Sequence, residues 1–207
     1  MNEERHKLSM NSGRLEALGD GIFAIAMTIL VLELDLPDVK GNTWHAFTDA
    51  LHETGYGLMC YAISFIVLGI MWFGHRLMFE YIARTDRYFI FLGVLFYMVV
   101  CLVPFSTRLL AKDTFAWYAI LVYGLNLSLC NITLYSQWLY GVNKKQLLHR
   151  EIPAELKREA HIQFLLSPVV YAIAIAFSFY IPWVSIGIFI LTPIFYLVPS
   201  KIDKYLP

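Results

Sequence analysis

The sequence predicts an all-α, polytopic membrane protein with six transmembrane helices, and three observations carry that expectation. Of the 207 residues, 58% are apolar and only 15% charged, against roughly 25% charged in soluble domains. Apolar runs recur that are long enough to cross a hydrocarbon core of about 30 Å, which takes on the order of 20 helical residues. Basic residues gather in alternate connections between those runs, as they do in chains threaded through a bilayer.

The first span is expected over residues 15–34. Fourteen mostly polar residues precede it, and it ends in the stretch Glu33-Leu34-Asp35-Leu36-Pro37 with no small-residue cleavage site, so it reads as a retained helix. The second, third and fourth spans are expected over 55–75, 88–107 and 115–138. The segment 143–161 mixes Lys144-Lys145, His149-Arg150 and a Glu-Leu-Lys-Arg-Glu run with one proline, and reads as an amphipathic cytosolic linker or surface helix. The fifth and sixth spans, 163–181 and 183–199, share one apolar stretch divided by Pro182 and Trp183. Each is near the short limit for crossing, so a re-entrant pair is the alternative. The expected organisation is a cytosolic N-terminus (1–14), one six-helix domain (15–199) and a cytosolic C-terminal tail (200–207), with no internal repeat.

Sixteen basic residues balance sixteen acidic ones, so net charge gives no footprint for nucleic acid and none is expected as a partner. Their distribution is informative. Arg5, Lys7, Arg14, Arg76, Arg84, Arg87, Lys144, Lys145, Arg150, Lys157, Arg158, Lys201 and Lys204 fall on one side, and Lys40, Arg108 and Lys112 on the other. Thirteen against three places both termini in the cytosol of a multi-pass protein of the cell membrane. The first external loop carries Asp35, Asp38, Asp49 and Glu53, which would raise the local cation concentration if a pathway opened nearby, and otherwise form a solvated loop. Cys60, Cys101 and Cys130 lie in apolar runs and are odd in number, so they read as core residues and not as a disulfide framework.

Charges inside spans are costly and mark candidate functional positions. Glu16 and Glu33 lie at the two mouths of the first span, where water is in reach. Asp20 lies deeper. The inner end of the second span is at similar depth and carries Trp72, His75 and Arg76. An Asp20 contact with His75 or Trp72 would satisfy the carboxylate by imidazole or indole N–H donation, either as a structural clasp or as part of a proton relay. The histidines at 6, 45, 52, 75, 149 and 161 offer no HxxxH or HExxH spacing, and no cysteine pair has metal-ligand spacing. There is no Gly-rich phosphate loop and no TVGYG-like filter. Neither an enzyme nor a cofactor is expected.

The stretch from Arg14 to Leu34, RLEALGDGIFAIAMTILVLEL, resembles the first helix of the lysosomal and bacterial potassium-channel family of transmembrane proteins that lack a P-loop filter. The hallmark of that family is Arg, three variable residues, then Phe-Ser-Asp, and here Leu18-Gly19-Asp20 follows Arg14 at that spacing. Leu18 keeps an apolar wedge, whereas Gly19 removes the serine hydroxyl. Trp72 with His75, and Pro104-Phe105-Ser106-Thr107 closing the third span, extend the likeness, while Gly93 stands where a polar Asn is expected. The resemblance implies one six-helix unit per chain, a homotetramer, and a pore lined by the first helix of each subunit that passes monovalent cations, potassium above all. It also implies a constriction at Ile25, Ile29 and Leu32 with Thr28 as selectivity support, and a motif of Arg14, Asp20, Trp72 and His75. With each residue turning a helix by about 100°, Ile25, Ile29 and Leu32 lie about 140°, 180° and 120° from Asp20, and Thr28 about 80°. The aliphatic stripe is thus expected to face away from the clasp. The functional alternative is a proton-coupled secondary transporter using Asp20 and His75, and a non-conducting scaffold is a further one.

Overall fold

The structure, a computed structural model, describes residues 10–35 and 43–197. Among the described residues seven helices follow one another: α1 (Gly13–Leu32), α2 (Trp44–Tyr81), α3 (Arg87–Val100), α4 (Val103–Lys112), α5 (Trp117–Asn143), α6 (Ala154–Ser178) and α7 (Pro182–Leu197). The strand structure among the described residues is one antiparallel pair of two-residue strands, β1 (Met10–Asn11) and β2 (Arg84–Thr85). It ties the chain ahead of α1 to the turn between α2 and α3. Five segments are long and apolar enough to cross a membrane: Gly13–Leu32, Thr54–Tyr81, Arg87–Lys112, Trp117–Asn143 and Ala154–Ser178. A sixth apolar stretch, Pro182–Tyr196, is shorter.

Local chemistry sets where the elements begin and break. The carbonyl of Ser12 starts α1 by accepting from the N–H groups of Leu15 and Glu16, both at 3.0 Å. Thr43 caps α2 through its hydroxyl, which accepts from the Ala46 N–H at 3.2 Å, and α2 runs past the expected 55–75 at both ends to 38 residues. Asp86 caps α3 by accepting from the Phe89 N–H at 2.9 Å. The third span, expected as one helix over 88–107, is broken at Cys101 and Leu102. Pro104 has no N–H for the Val100 carbonyl, so the ladder stops and restarts one turn later as α4. Residues 154–161, expected within the linker, are instead the opening turns of α6. The remainder of the linker folds back on the α2 end, where the His149 N–H donates to the Tyr81 carbonyl at 2.9 Å and Leu148 bridges to Ile82. Pro182 opens α7, a first-turn position that needs no N–H partner. At 16 residues α7 measures about 24 Å, less than the hydrocarbon core.

Within the bundle α5 is central, packed on α3, α4, α6 and α7, and Tyr123, Cys130 and Gln137 on it are fully buried. Several polar side chains inside the bundle satisfy one another. The Thr107 hydroxyl reaches Ser64 at 2.8 Å, Ser64 pairs with the Tyr123 hydroxyl at 3.0 Å, and Asn126 donates to Ser106 at 2.9 Å. Ser106 and Thr107 both lie within bonding distance of the Val103 carbonyl. The Pro-Phe-Ser-Thr stretch therefore pins α4 to α2 and α5, as buried hydroxyls without water require.

Candidate functional site

The two faces of α1 differ sharply. Leu15, Gly19, Phe23, Ala26 and Leu30 are buried, spaced four, four, three and four residues apart, and form the stripe that packs on α2, α3 and α4. On the other side, Ile25 is 60% exposed, Leu32 78% and Ile29 37%, with Thr28 also exposed. Measured around the helix from Gly19, Thr28 lies at about 180°, Leu32 at about 140°, Ile25 at about 120° and Ile29 at about 80°. Thr28 therefore centres the uncovered face with Ile25 and Leu32 beside it, and Ile29 sits at its seam. Phe23 is packed against His75 and Phe96. The Thr28 hydroxyl donates to the Ile25 carbonyl at 2.8 Å, which commits its proton and leaves its lone pairs facing outward.

Asp20 stands between the two faces and remains exposed. Its Oδ1 accepts from the Trp72 indole N–H at 2.8 Å, and the Arg76 guanidinium lies 5.8 Å from the centre of the Trp72 ring. His75, fully buried, does not bond to Asp20. Its Nε2 pairs with the Tyr97 hydroxyl at 2.9 Å, and that hydroxyl donates to the Leu15 carbonyl at 2.8 Å. Arg14 is exposed and makes no hydrogen bond or ion pair to a described residue. Leu18, expected as a wedge, is half exposed on the uncovered side of α1.

Tyr97 and Gln137 are the polar residues that sequence reading missed, and the two glycines were the signal for both. A Cβ built on Gly19 would stand 2.6 Å from His75 Cε1 and 2.8 Å from the Tyr97 hydroxyl oxygen. The space a serine would need at position 19 is taken, and a hydroxyl from α3 occupies it. A Cβ on Gly93 would stand 2.7 Å from Gln137 Nε2, so an amide from α5 fills the place where an Asn was expected on α3. A polar group within an apolar span must find a partner, and Tyr97 and Gln137 are such groups.

The two ends of the bundle carry different ion pairs. At the end where α1 finishes, Glu33 pairs with Arg108 of α4 at 3.2 Å, and Asp35 lies 3.9 Å from the same guanidinium. Asp38 lies outside the described residues, as do the side chains of Asp49 and Glu53. At the other end Asp86 accepts from the Tyr140 hydroxyl at 2.7 Å and from Lys144 at 3.3 Å. Burial alone would push its carboxyl up. The Phe89 N–H, Tyr140 and Lys144 outweigh that and hold it below its ordinary value. Arg14, Arg84, Arg87, Lys144 and Arg150 share this end, brought together by the β1–β2 pair and the Leu148 bridge. Arg5, Lys7, Lys40, Lys201 and Lys204 lie outside the described residues.

Comparison with known proteins converges on one family. The family model described as endosomal/lysosomal potassium channel TMEM175 matches residues 14–104, the stretch from Arg14 to the proline that breaks the third span. A potassium channel of Streptomyces collinus is 35% identical over 81% of this chain and 82% of its own. A potassium channel of Chamaesiphon minutus is 32% identical over 92% of this chain and 95% of its own. The crystal structure of a lysosomal potassium-selective channel TMEM175 homologue from Chamaesiphon minutus superposes with a TM-score of 0.79 at 30% identity, over 92% of this chain and 98% of that one.

Proposed function

The chain belongs to the TMEM175 family, and we propose that it forms a passive, potassium-permeable cation channel whose pore is lined by α1 from each of four identical subunits. The observation that carries this reading is the uncovered face of α1. Lipid covers exposed isoleucines and leucines on other helices, such as Leu129 of α5 and Ile173 of α6, but on α1 they flank an exposed Thr28 hydroxyl and follow the family motif, a pattern that suits an axis shared with further copies. A shared axis with closed symmetry covers four copies at once. Ile25, Ile29 and Leu32 then form an aliphatic constriction in place of a carbonyl filter. An ion crossing it sheds much of its hydration shell, a loss that costs potassium less than sodium. Thr28, with its proton already committed, presents lone pairs to the ion at the same level. Asp20 and Trp72 hold α1 to α2 beside this face, and Arg14 lies at the mouth.

The crowding of basic residues at the Asp86 end supports a cell-membrane protein with both termini in the cytosol. Labelling of a cysteine at position 145 by an impermeant reagent in intact cells would reverse that orientation. The proton-coupled alternative needs Asp20 and His75 to exchange a proton. Asp20 bonds instead to an indole N–H, which donates only and cannot pass a proton on, so the geometry favours the clasp.

The test is potassium and sodium flux in proteoliposomes at matched protein levels. Ile25→Asn should raise conductance and reduce discrimination. Ile29→Ala should do so to a smaller degree, and Phe23→Ala should chiefly lower stability. Unchanged permeation in both isoleucine variants would put the pore elsewhere than α1, and a monomer in lipid by mass measurement would exclude it.

A further inference from the structure

We propose that the partly open cavity bordered by α2, α5, α6 and α7 is a binding site for a small uncharged amphiphile with an apolar body about one aromatic ring in size and a single hydroxyl group. The cavity holds about 150 Å³, the size of an engineered protein cavity that accepts benzene. Much of its wall is apolar and aromatic, including Met71, Leu134, Trp138, Phe164 and Tyr171. No charged residue is among those lining it, so an ion entering it would lose its hydration without compensation. One end is polar. There the Ser167 and Tyr196 hydroxyls bond to each other and to the Gln163 carbonyl.

Two polar groups lining the cavity have bonding capacity left. Asn131 donates its amide N–H to the Leu127 carbonyl at 3.0 Å, and its side-chain oxygen has no partner among the described residues. The side-chain amide of Gln163 has none either. One acceptor and one donor beside an apolar chamber match a hydroxyl, which can give a proton to Asn131 and accept one from Gln163. Phe73, 41% exposed, lines the cavity and also faces the surroundings of the bundle, from which an amphiphile dissolved in the bilayer would arrive. Met71, Gly74 and Met78 of α2 border the cavity, while Trp72 and His75 on the same turns face the α1 side. A ligand here touches the reverse of the helix that holds α1.

Gly74 provides the control. A Cβ added there meets nothing within 4 Å, so Gly74→Leu starts its added bulk in open space on the cavity lining. The measurement is fluorescence quenching by 4-bromophenol of the full chain in lipid nanodiscs, since a bromine atom in the cavity lies against Trp138. Quenching should saturate in the native protein, lose its saturable part in Trp138→Phe, shift at least tenfold in midpoint in Gly74→Leu, and weaken several-fold in Gln163→Leu. Bromobenzene, lacking the hydroxyl, should bind more weakly than 4-bromophenol. If Gly74→Leu fails to assemble, Ala160→Leu fills the chamber from α6 instead. Quenching that rises linearly with partitioned bromophenol, equally in native and filled proteins, overturns the proposal. So does quenching of Trp138 by brominated acyl chains that bromophenol fails to displace, which would make a lipid tail the occupant. The readout is independent of ion flux and stands apart from the channel reading.

Discussion

The junction of Gly19, His75 and Tyr97 gives a prediction in which two damaging substitutions should partly cancel. Gly19→Ser inserts a Cβ 2.8 Å from the Tyr97 hydroxyl oxygen and 2.6 Å from His75 Cε1. The imidazole cannot move freely, because its ring packs on Phe23, Phe79 and Phe96. Overpacking of this kind costs about 1–3 kcal/mol. Tyr97→Phe removes the oxygen that joins His75 Nε2 to the Leu15 carbonyl. Nδ1 of the same ring already lacks a partner, so the variant leaves a fully buried imidazole with neither nitrogen bonded, at about 1–3 kcal/mol. In the double variant the Tyr97 oxygen that blocks the new side chain is gone, and the serine hydroxyl stands where it can bond His75. The double loss should therefore fall short of the sum of the single losses by about 0.5–3 kcal/mol. Thermal unfolding of all four proteins in one detergent provides the cycle, with each kcal/mol shifting Tm by about 2–4 °C in a chain of this size. Losses that add within about 0.3 kcal/mol would refute the claim that the tyrosine hydroxyl occupies the missing serine's place.

Three further outcomes follow from the ends of α1 and the clasp. Asp20→Ala strips the Trp72 N–H of its acceptor and should destabilise the assembly by about 1 kcal/mol. Asp20→Asn keeps an acceptor oxygen and should recover most of the loss in Tm and tetramer yield. An Asp20→Ala protein that assembles normally but loses proton-driven uptake would instead favour the transporter. Arg108→Gln frees Glu33 and Asp35 at the C-terminal end of α1. It should cost at most about 1 kcal/mol of stability and raise potassium flux at about 10 mM salt, and the gain should vanish near 1 M as screening shortens to about 3 Å. A gain that persists at high salt would mean that Arg108 acts through packing. Asp86 titrates below its ordinary value of 3.8, so its stabilisation is fully present above that pH and is lost as pH falls through the lower folded value. Asp86→Asn should therefore melt below the native protein at pH 7, and the difference should close below about pH 3.8. A difference that stays constant into acid would remove the carboxylate charge from the explanation.

The sequence by itself determined that this chain is a helical membrane protein, because length of apolar run is a one-dimensional quantity and the bilayer imposes it directly. It also placed the break between the fifth and sixth apolar segments at Pro182, where α7 begins. Periodicity could not select the uncovered face of α1, since Phe23, Ala26 and Leu30 are as apolar as Ile25, Ile29 and Leu32. Only the packing of α2, α3 and α4 against one stripe left the other open. The partner of Asp20 was open between His75 and Trp72 because those residues are three apart on one helix and reach the same depth. Which of them bonds is decided in three dimensions, where Tyr97 claims the histidine. The fates of Gly19 and Gly93 lie further still from linear reading. A hydroxyl missing from α1 is supplied 78 positions later by Tyr97 on α3, and the amide absent at Gly93 comes from Gln137 on α5. Space in a packed interior belongs to whichever side chain reaches it, and contacts of that kind follow from how helices pack in three dimensions, which no local pattern in the sequence encodes.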